Sequence, residues 1–398
     1  MNPQVDKLFQ IAQKTERRII GLMSGTSLDG LDIALCTIAH SGTNTQMKLE
    51  KFVTLDYPNS FRNRVREIFA KRDIDQQTLC GLNTFIGLMH GNLVKEALHM
   101  WQLTASDIDL IASHGQTVYH APQRLTQDKN YPNSTLQIGD GDHIAATTKI
   151  ITIADFRQKH LAAGGEGAPL AAYGDFLLFT DTVENRFLLN IGGISNFTFL
   201  PRKGSERKAY ATDLGPGNTM MNQFVFRQHG LEMDKDAALA KQGSVYKPLL
   251  TALLSDPFLQ EAFPKTTGPE LFNLDYLERA LQKSEATAIA PADILATLNQ
   301  FAAKAICEGI AREATGLDDV AVYISGGGLH NPLLIENIKQ GLTNIKISSF
   351  ATLGFNPDAK EACLFAVLAN ETVAGNPANV AHIQDSPAVC MGKICFPT

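Results

Sequence analysis

Apolar positions along this chain keep two rhythms, and the switches between them mark the elements. Ile19-Ile20-Gly21-Leu22-Met23 is a continuous apolar run of strand length, and Leu31-Asp32-Ile33-Ala34-Leu35-Cys36-Thr37-Ile38 is a second. Only residues 24–30 lie between them, too few for a helical crossover, so the chain is predicted to open with an antiparallel hairpin. Upstream, Val5, Leu8, Phe9 and Ile11 fall at near-helical spacing and predict a short helical extension over residues 1–17. Residues 79–101 keep helical spacing through Leu82, Phe85, Ile86, Met89, Leu93, Val94 and Ala97, and 108–112 then reads as a buried strand. A short helix over 144–148 and a strand over 150–154 follow. Asp155 is thereby left at the carboxyl end of a strand, where open α/β sheets place their ligands.

The second half restarts the pattern. A strand over 186–191 enters the glycine turn 192–196 and returns over 197–200, a second hairpin. A long helix over 292–314 closes at Gly316, a strand over 320–324 enters Ser325-Gly326-Gly327-Gly328, and Asn331-Pro332 starts another helix. A helix over about 360–368 is the last regular element expected. Two halves that each open with a hairpin before turning α/β predict a duplicated, two-lobed architecture with a cleft between the lobes. The divisions expected are an extension over 1–17, a first lobe over 18–184 and a second over 185–398, whose last segment packs back on the first.

Composition narrows the function classes. At 398 residues the chain is long enough for two or three domains, and 44% hydrophobic with 19% charged residues excludes a disordered, collagenous or coiled-coil protein. Lys and Arg number 35 against 41 Asp and Glu, a net charge of −6, which provides no general attraction to nucleic acid or anionic lipid. No apolar run reaches the ~18 residues of a membrane span, and the opening residues lack the layout of a signal peptide, so a cytosolic protein is expected. The six cysteines form no C-x-x-C pair, which indicates neither a zinc site nor a disulfide framework. The partner expected is a small molecule rather than nucleic acid or a membrane, with a homodimer left open.

Candidate chemistry gathers in the turns. Gly25-Thr26-Ser27-Leu28-Asp29-Gly30-Leu31-Asp32 joins glycines that allow close backbone approach to hydroxyls and free N–H groups that can surround phosphate oxygens. Its carboxylates can hold Mg²⁺ directly or through water, although an ordinary glycine-rich β-turn draws on the same residue types. It is not a Walker A loop, having neither the G-K-[ST] ending nor the helix that follows one. Asn190-Ile191-Gly192-Gly193-Ile194-Ser195-Asn196 repeats this chemistry, and Asp213-Leu214-Gly215-Pro216-Gly217-Asn218-Thr219 adds a carboxylate beside a Gly/Pro turn. Two such hairpins can clamp a polyphosphate, while Gly326, Gly327 and Gly328 let a flat group such as adenine lie against backbone. Asp29, Asp32 and Asp213 are the candidate Mg²⁺ carboxylates.

Ser113-His114-Gly115-Gln116-Thr117 is expected to end a strand, and Gln137-Ile138-Gly139-Asp140 follows soon after. His114, Gln116, Gln137 and Asp140 offer donors and acceptors suited to a polyhydroxylated ligand, though His114 reads equally well as a satisfied structural histidine. Arg157 adds a cation two residues after Asp155, ahead of a glycine-rich loop over 163–169. An aspartate at a strand end can also do no more than cap a helix.

Taken in order, the segments GLMSGTSLDGLD, SHGQT, QIGD, ADFR, AAGGEGAPL, NIGGISN, DLGPGN and SGGGLHNP resemble the anhydro-N-acetylmuramic acid kinase family from about residue 19 to the end of the chain. The resemblance implies an α/β, two-lobed fold of the acetate and sugar kinase, heat-shock ATPase and actin superfamily with a central interdomain cleft. It implies ATP, with Mg²⁺, converting 1,6-anhydro-N-acetylmuramic acid to N-acetylmuramic acid 6-phosphate in cell-wall recycling. Carried over position by position, the ATP-binding segment falls on Gly25 through Asp32 and the catalytic aspartate on Asp155. Asn190, Gly192, Gly193 and Ser195, with Gly326, Gly327 and Gly328, take the second phosphate and adenosine roles. This chain departs from the family pattern at Gln300, where a glutamate is common, and in residues 1–17, which precede the usual start.

The chemistry so implied joins two bonds. Water activated by Asp155 opens the anhydro bridge at C1, and the freed O6 attacks the γ-phosphate of ATP. An ordinary hexose or amino-sugar kinase, with Asp155 deprotonating a hydroxyl directly, is the alternative enzyme. An ATP-switched binding protein is the alternative of another class, and it calls for a peptide-binding domain that the sequence does not display.

Overall fold

The structure, a computed structural model, describes residues 2–285 and 288–398. It divides into two units, Met1–Phe179 with Asn356–Thr398, and Thr180–Phe355. The last segment, Asn356–Thr398, groups with the first unit, and the second unit starts at Thr180.

In the first unit β1 (Glu16–Ser24), β2 (Gly30–Ala39) and β3 (Gln46–Asp56) form an antiparallel meander. β4 (Leu110–Ala121) lies parallel to β1, β5 (Ser134–Ile138) pairs with β4, and β6 (Thr152–Ala154) lies parallel to β4 on its far side. The C-terminal strand Lys393–Cys395 closes the edge antiparallel to β6. Ile20 and Leu22 of β1 face a core with Ile86 and Val94 of the helix Gln76–Met100. Gly21, between them, faces the opposite way, because side chains alternate along a strand. There the helix Lys360–Ala374 comes so close that a Cβ on Gly21 would stand 1.8 Å from the Ala362 carbonyl oxygen. That contact fixes the return of the chain's end to the first unit.

Two elements differ from the sequence expectation for local reasons. β3 is an edge strand with no fully buried residue, so it carries no apolar run by which to be read. β4 continues to Ala121, well past residue 112, because Gly115 at φ 75° bends it and its polar second half pairs with β5. Ser113 to Thr117 consequently lie inside a strand rather than at its end.

The second unit repeats the plan. β7 (Asn185–Ile191), β8 (Ile194–Leu200) and β9 (Tyr210–Pro216) form an antiparallel meander, and β10 (Val320–Ser325) and β11 (Lys346–Ser349) add to β7 in parallel. The order β9-β8-β7-β10-β11 matches β3-β2-β1-β4-β6 strand for strand and sense for sense. The duplicated α/β architecture expected from the two hairpins is thus present. Phe187, Phe197 and Phe199 are fully buried under the helix Pro291–Ala314, which begins on its proline and contributes Leu298, Phe301 and Ile306 to the same core. Among the described residues no helix is long and apolar enough to cross a membrane.

Candidate functional site

Asp155 follows β6 directly and takes φ 57°, ψ 46°, a left-handed conformation that Asp tolerates better than most residues. It holds the N-cap position of the helix Phe156–Ala162, yet its side chain makes no capping bond. Its Oδ2 instead accepts from Lys393 Nζ at 2.5 Å, across the β6 pairing with the C-terminal strand. The carboxylate is thus partly exposed, at 29%, and not consumed by the helix end.

Two residues on, Arg157 donates from Nε to His114 Nε2 at 2.8 Å and from Nη1 to the Gly167 carbonyl at 2.6 Å. Gly167 N–H in turn donates to His160 Nδ1 at 2.9 Å. Burial, and then the nearby Arg157 charge, hold His114 down to about 3 and His160 down to about 4, so both rings are neutral acceptors. Burial also lowers Arg157 to about 10, which leaves it charged, with Glu361 acting in the opposite sense. The expected site residue His114 and the loop over 163–169 are thus joined through one guanidinium. Glu361, in the first turn of the helix Lys360–Ala374, was not anticipated. It is an exposed residue, but the atoms crowded round its carboxyl desolvate it and raise its pKa, with Arg157 opposing and Asp32 reinforcing the rise. Its sequence signal was faint, one acid ahead of an otherwise buried helix face.

The remaining candidates of the first unit divide by what they touch. Gln116 is fully buried and its amide is engaged by Ser24, Gly25 and Thr117, so it braces the turn after β1. Gln137 donates to Thr117 Oγ1 and Thr135 Oγ1, and Asp140 caps the helix Gly141–Thr148 by accepting from Asp142 N–H at 2.8 Å. In the turn itself Thr26, Ser27 and Asp29 are exposed, whereas Leu28 and Leu31 point into the core. Gly30 lies against β3, where a Cβ would meet the Leu55 carbonyl at 2.6 Å. Asp32 accepts from Thr54 Oγ1 at 2.6 Å, and burial raises its pKa against that bond, with Asp358 adding to the rise.

In the second unit the three glycine segments converge. Gly217 and Thr219 N–H donate to the Gly193 carbonyl, and Asn218 N–H to that of Gly192, which ties the β7–β8 turn to the start of the helix Thr219–His229. Gly326 has φ 84°, and a Cβ there would stand 2.6 Å from Asn190 Oδ1. Gly328 packs on Ile191, and Gly327 lies beside Asn218. Ser195 is buried and its hydroxyl turns inward to the Gly215 and Pro216 carbonyls. Asp213, opposite Asn196 in the β8–β9 ladder, accepts from Thr267 N–H at 2.9 Å. Among the described residues no three His, Cys, Asp or Glu side chains gather as a metal cage.

A family model described as anhydro-N-acetylmuramic acid kinase matches residues 17–397. The chain belongs to that family. A relative from Pseudoalteromonas atlantica named anhydro-N-acetylmuramic acid kinase is 50% identical over 400 residues, covering all of both chains. One of the same name from Pseudoalteromonas translucida is 48% identical over 399 residues, again with full coverage of both. A third, from Caldanaerobacter subterraneus, is 38% identical and covers 98% of this chain and all of its own.

Membership of the anhydro-N-acetylmuramic acid kinase family changes how the first residues are read. The family model begins at residue 17, inside β1, while both Pseudoalteromonas relatives extend over the helix Pro3–Gln13 as well. What the order of motifs did not yield in this chain is the set of partners that hold them: Lys393 on Asp155, Tyr57 and His90 behind Ser24, and Thr267 on Asp213. None of them lies within a motif, and only pairing between distant segments reveals them.

Proposed function

We propose that this chain opens the anhydro ring of 1,6-anhydro-N-acetylmuramic acid with water and transfers the γ-phosphoryl group of ATP to O6, giving N-acetylmuramic acid 6-phosphate and ADP. The observation that carries the mechanism is Asp155, a strand-end carboxylate that does not cap its helix. As general base it takes a proton from the water that attacks C1, and the C1–O6 bond breaks as the new C1–O bond forms. O6 then attacks the γ-phosphorus, and the β–γ bridging oxygen leaves with ADP. His114 and His160 stay neutral, so Arg157 is the charged partner of His114 and the one that orders the loop at Gly167.

For the nucleotide, the amides of the exposed residues Thr26 and Ser27, the Asn190–Gly193 turn and Gly326–Gly328 are the phosphate and adenosine contacts of this reading. In this reading Asp29, Asp32 and Asp213 would hold Mg²⁺ directly or through water, with one oxygen of Asp32 already accepting from Thr54 Oγ1 and one of Asp213 from Thr267 N–H; Mg²⁺ usually keeps several waters and is bound largely by substrate phosphates. When bound, it neutralises charge on the phosphoryl group being transferred. The protein acts in the cytoplasm on a product of cell-wall breakdown.

Asp155→Asn tests this reading, because it keeps the shape and removes the base. Ring opening and phosphorylation are expected to fall together by about 10²–10⁴-fold while ATP affinity survives. In ¹⁸O-water the wild type places label on C1 and none in the transferred phosphate. Near-normal turnover of the variant, or product unlabelled at C1 before anomeric exchange, rejects the mechanism. Turnover of free amino sugars in preference to the anhydro-sugar would point to the ordinary kinase instead.

A further inference from the structure

Behind the turn that follows β1 lies a buried chain of polar groups that takes no part in the chemistry above. Ser24, 1% exposed, ends β1, and its hydroxyl donates to Gln116 Oε1 at 2.5 Å. The Ser24 oxygen is then an acceptor, and Tyr57 OH donates to it at 2.8 Å. With its proton so directed, the Tyr57 oxygen must accept from the other group it touches, His90 Nε2 at 2.8 Å. His90 lies in the helix Gln76–Met100, is fully buried and has its pKa pushed down to about 3 by that burial, so its ring is neutral and carries a single proton. The network assigns that proton to Nε2 and leaves Nδ1 a buried acceptor with no partner among the described residues. Every proton thus points one way: from His90 to Tyr57, to Ser24, to Gln116, whose Nε2 closes the chain on the Gly25 carbonyl at 3.3 Å.

The end of that chain is informative. A trans peptide holds its C=O and the next N–H in opposite directions, so tethering the Gly25 carbonyl toward Gln116 sends the Thr26 N–H the other way. Thr26 and Ser27 are exposed, and neither amide donates to a protein acceptor among the described residues. A buried network of this kind is costly wherever one member lacks a partner, as His90 Nδ1 does, and packing alone would be served as well by apolar side chains.

We propose that Tyr57 and His90 are positioning residues that hold the Gly25–Thr26 peptide in the one orientation that presents its N–H to a nucleotide phosphate. The inference rests on the reading of Gly25 to Asp32 as the nucleotide turn. The Gly25 carbonyl also accepts from Leu28 N–H at 3.3 Å within the turn, so the relay is one of two tethers; when it is cut the peptide spends part of its time in other orientations, and apparent affinity falls in proportion to the population lost.

Tyr57→Phe removes one oxygen while keeping the ring stacked on Phe61, 4.1 Å between centroids. In the full-length protein, calorimetry with adenylyl imidodiphosphate is expected to give a dissociation constant about five- to thirty-fold higher, and the KM for ATP to rise alike with the KM for the sugar unchanged. His90→Leu and Ser24→Ala, which cut the chain on either side of Tyr57, are expected to repeat that split, so a failure of any one variant to fold leaves the others to decide. A lowered melting temperature with unaltered analogue affinity in the folded variants overturns the proposal. Thr26→Pro, which deletes the aimed amide, separates the two readings. If it too binds the analogue normally, the turn is not the nucleotide site; if it alone loses binding, the turn stands and the relay does not position it.

Discussion

Lys393 Nζ and Asp155 Oδ2, 238 residues apart in sequence, meet at 2.5 Å where the C-terminal strand pairs with β6. The pair is open to solvent, 63% on the lysine and 29% on the aspartate, so it contributes at most about 1 kcal/mol to stability. What it does fix is the direction of one carboxylate oxygen. Lys393→Met is therefore expected to lower kcat less than about ten-fold and to leave the melting temperature nearly unchanged, against the far larger loss in Asp155→Asn. A loss in Lys393→Met as deep as in Asp155→Asn, measured by single-turnover kinetics, would mean that the lysine itself enters the reaction.

Arg157 holds His114 and Gly167 with two different nitrogens, a geometry that an ammonium cannot reproduce. Arg157→Lys is expected to reduce kcat/KM for the anhydro-sugar by about 10- to 100-fold through a released loop, with the KM for ATP unaffected. Equal loss for both substrates would argue for general damage to the fold rather than to a sugar site.

Acid should unfold the first unit early. His90 and His114, held down to about 3, and His160, held down to about 4, stay neutral when folded, whereas unfolded histidines take protons near pH 6.5. Unfolding thus takes up protons below that pH, and the stability these histidines contribute is present above pH 6.5 and lost as pH falls toward 3 to 4. The expected slope between pH 6 and 5 is up to about 1.4 kcal/mol per pH unit for each histidine. Urea midpoints at several pH values measure it, with His90→Gln reducing the slope by about a third. A flat midpoint over that interval would contradict the buried neutral state.

The segment before the first strand is not uniform. The helix Pro3–Gln13 buries only Ile11, whereas Arg17, 3% exposed and already within β1, donates to Asn370 Oδ1 at 2.7 Å and to the Lys14 carbonyl at 2.5 Å. Deleting residues 2–13 is expected to preserve turnover with a small loss of stability. Arg17→Met, which orphans a buried amide oxygen, should cost about 2–3 kcal/mol in denaturant unfolding. A truncation that starts near residue 18 would then fail through folding rather than through chemistry, and comparing the two variants by circular dichroism and turnover distinguishes these outcomes.

Local pattern sufficed for much of this protein. Apolar runs of strand length and helical spacing gave β1, β2, β10 and the long helices to within a few residues, and the glycine turns marked the loops that join the hairpin strands. It also brought Asp155 to the end of a strand, since that depends only on where one short apolar run stops. What the pattern could not carry was any contact made between segments far apart in the chain. β3 lies at an edge and keeps no apolar face; β4 outlasts its apolar run because a partner strand, not its own hydrophobicity, holds its second half. The direction of the Asp155 carboxylate, the guanidinium shared by His114 and Gly167, and the tether from His90 to Gly25 each need a side chain delivered by an element that local spacing places nowhere in particular. Hydrophobic periodicity is a property of neighbours along the chain, whereas hydrogen-bond partners are chosen only when strands pair and helices dock, and it was that docking which decided the site.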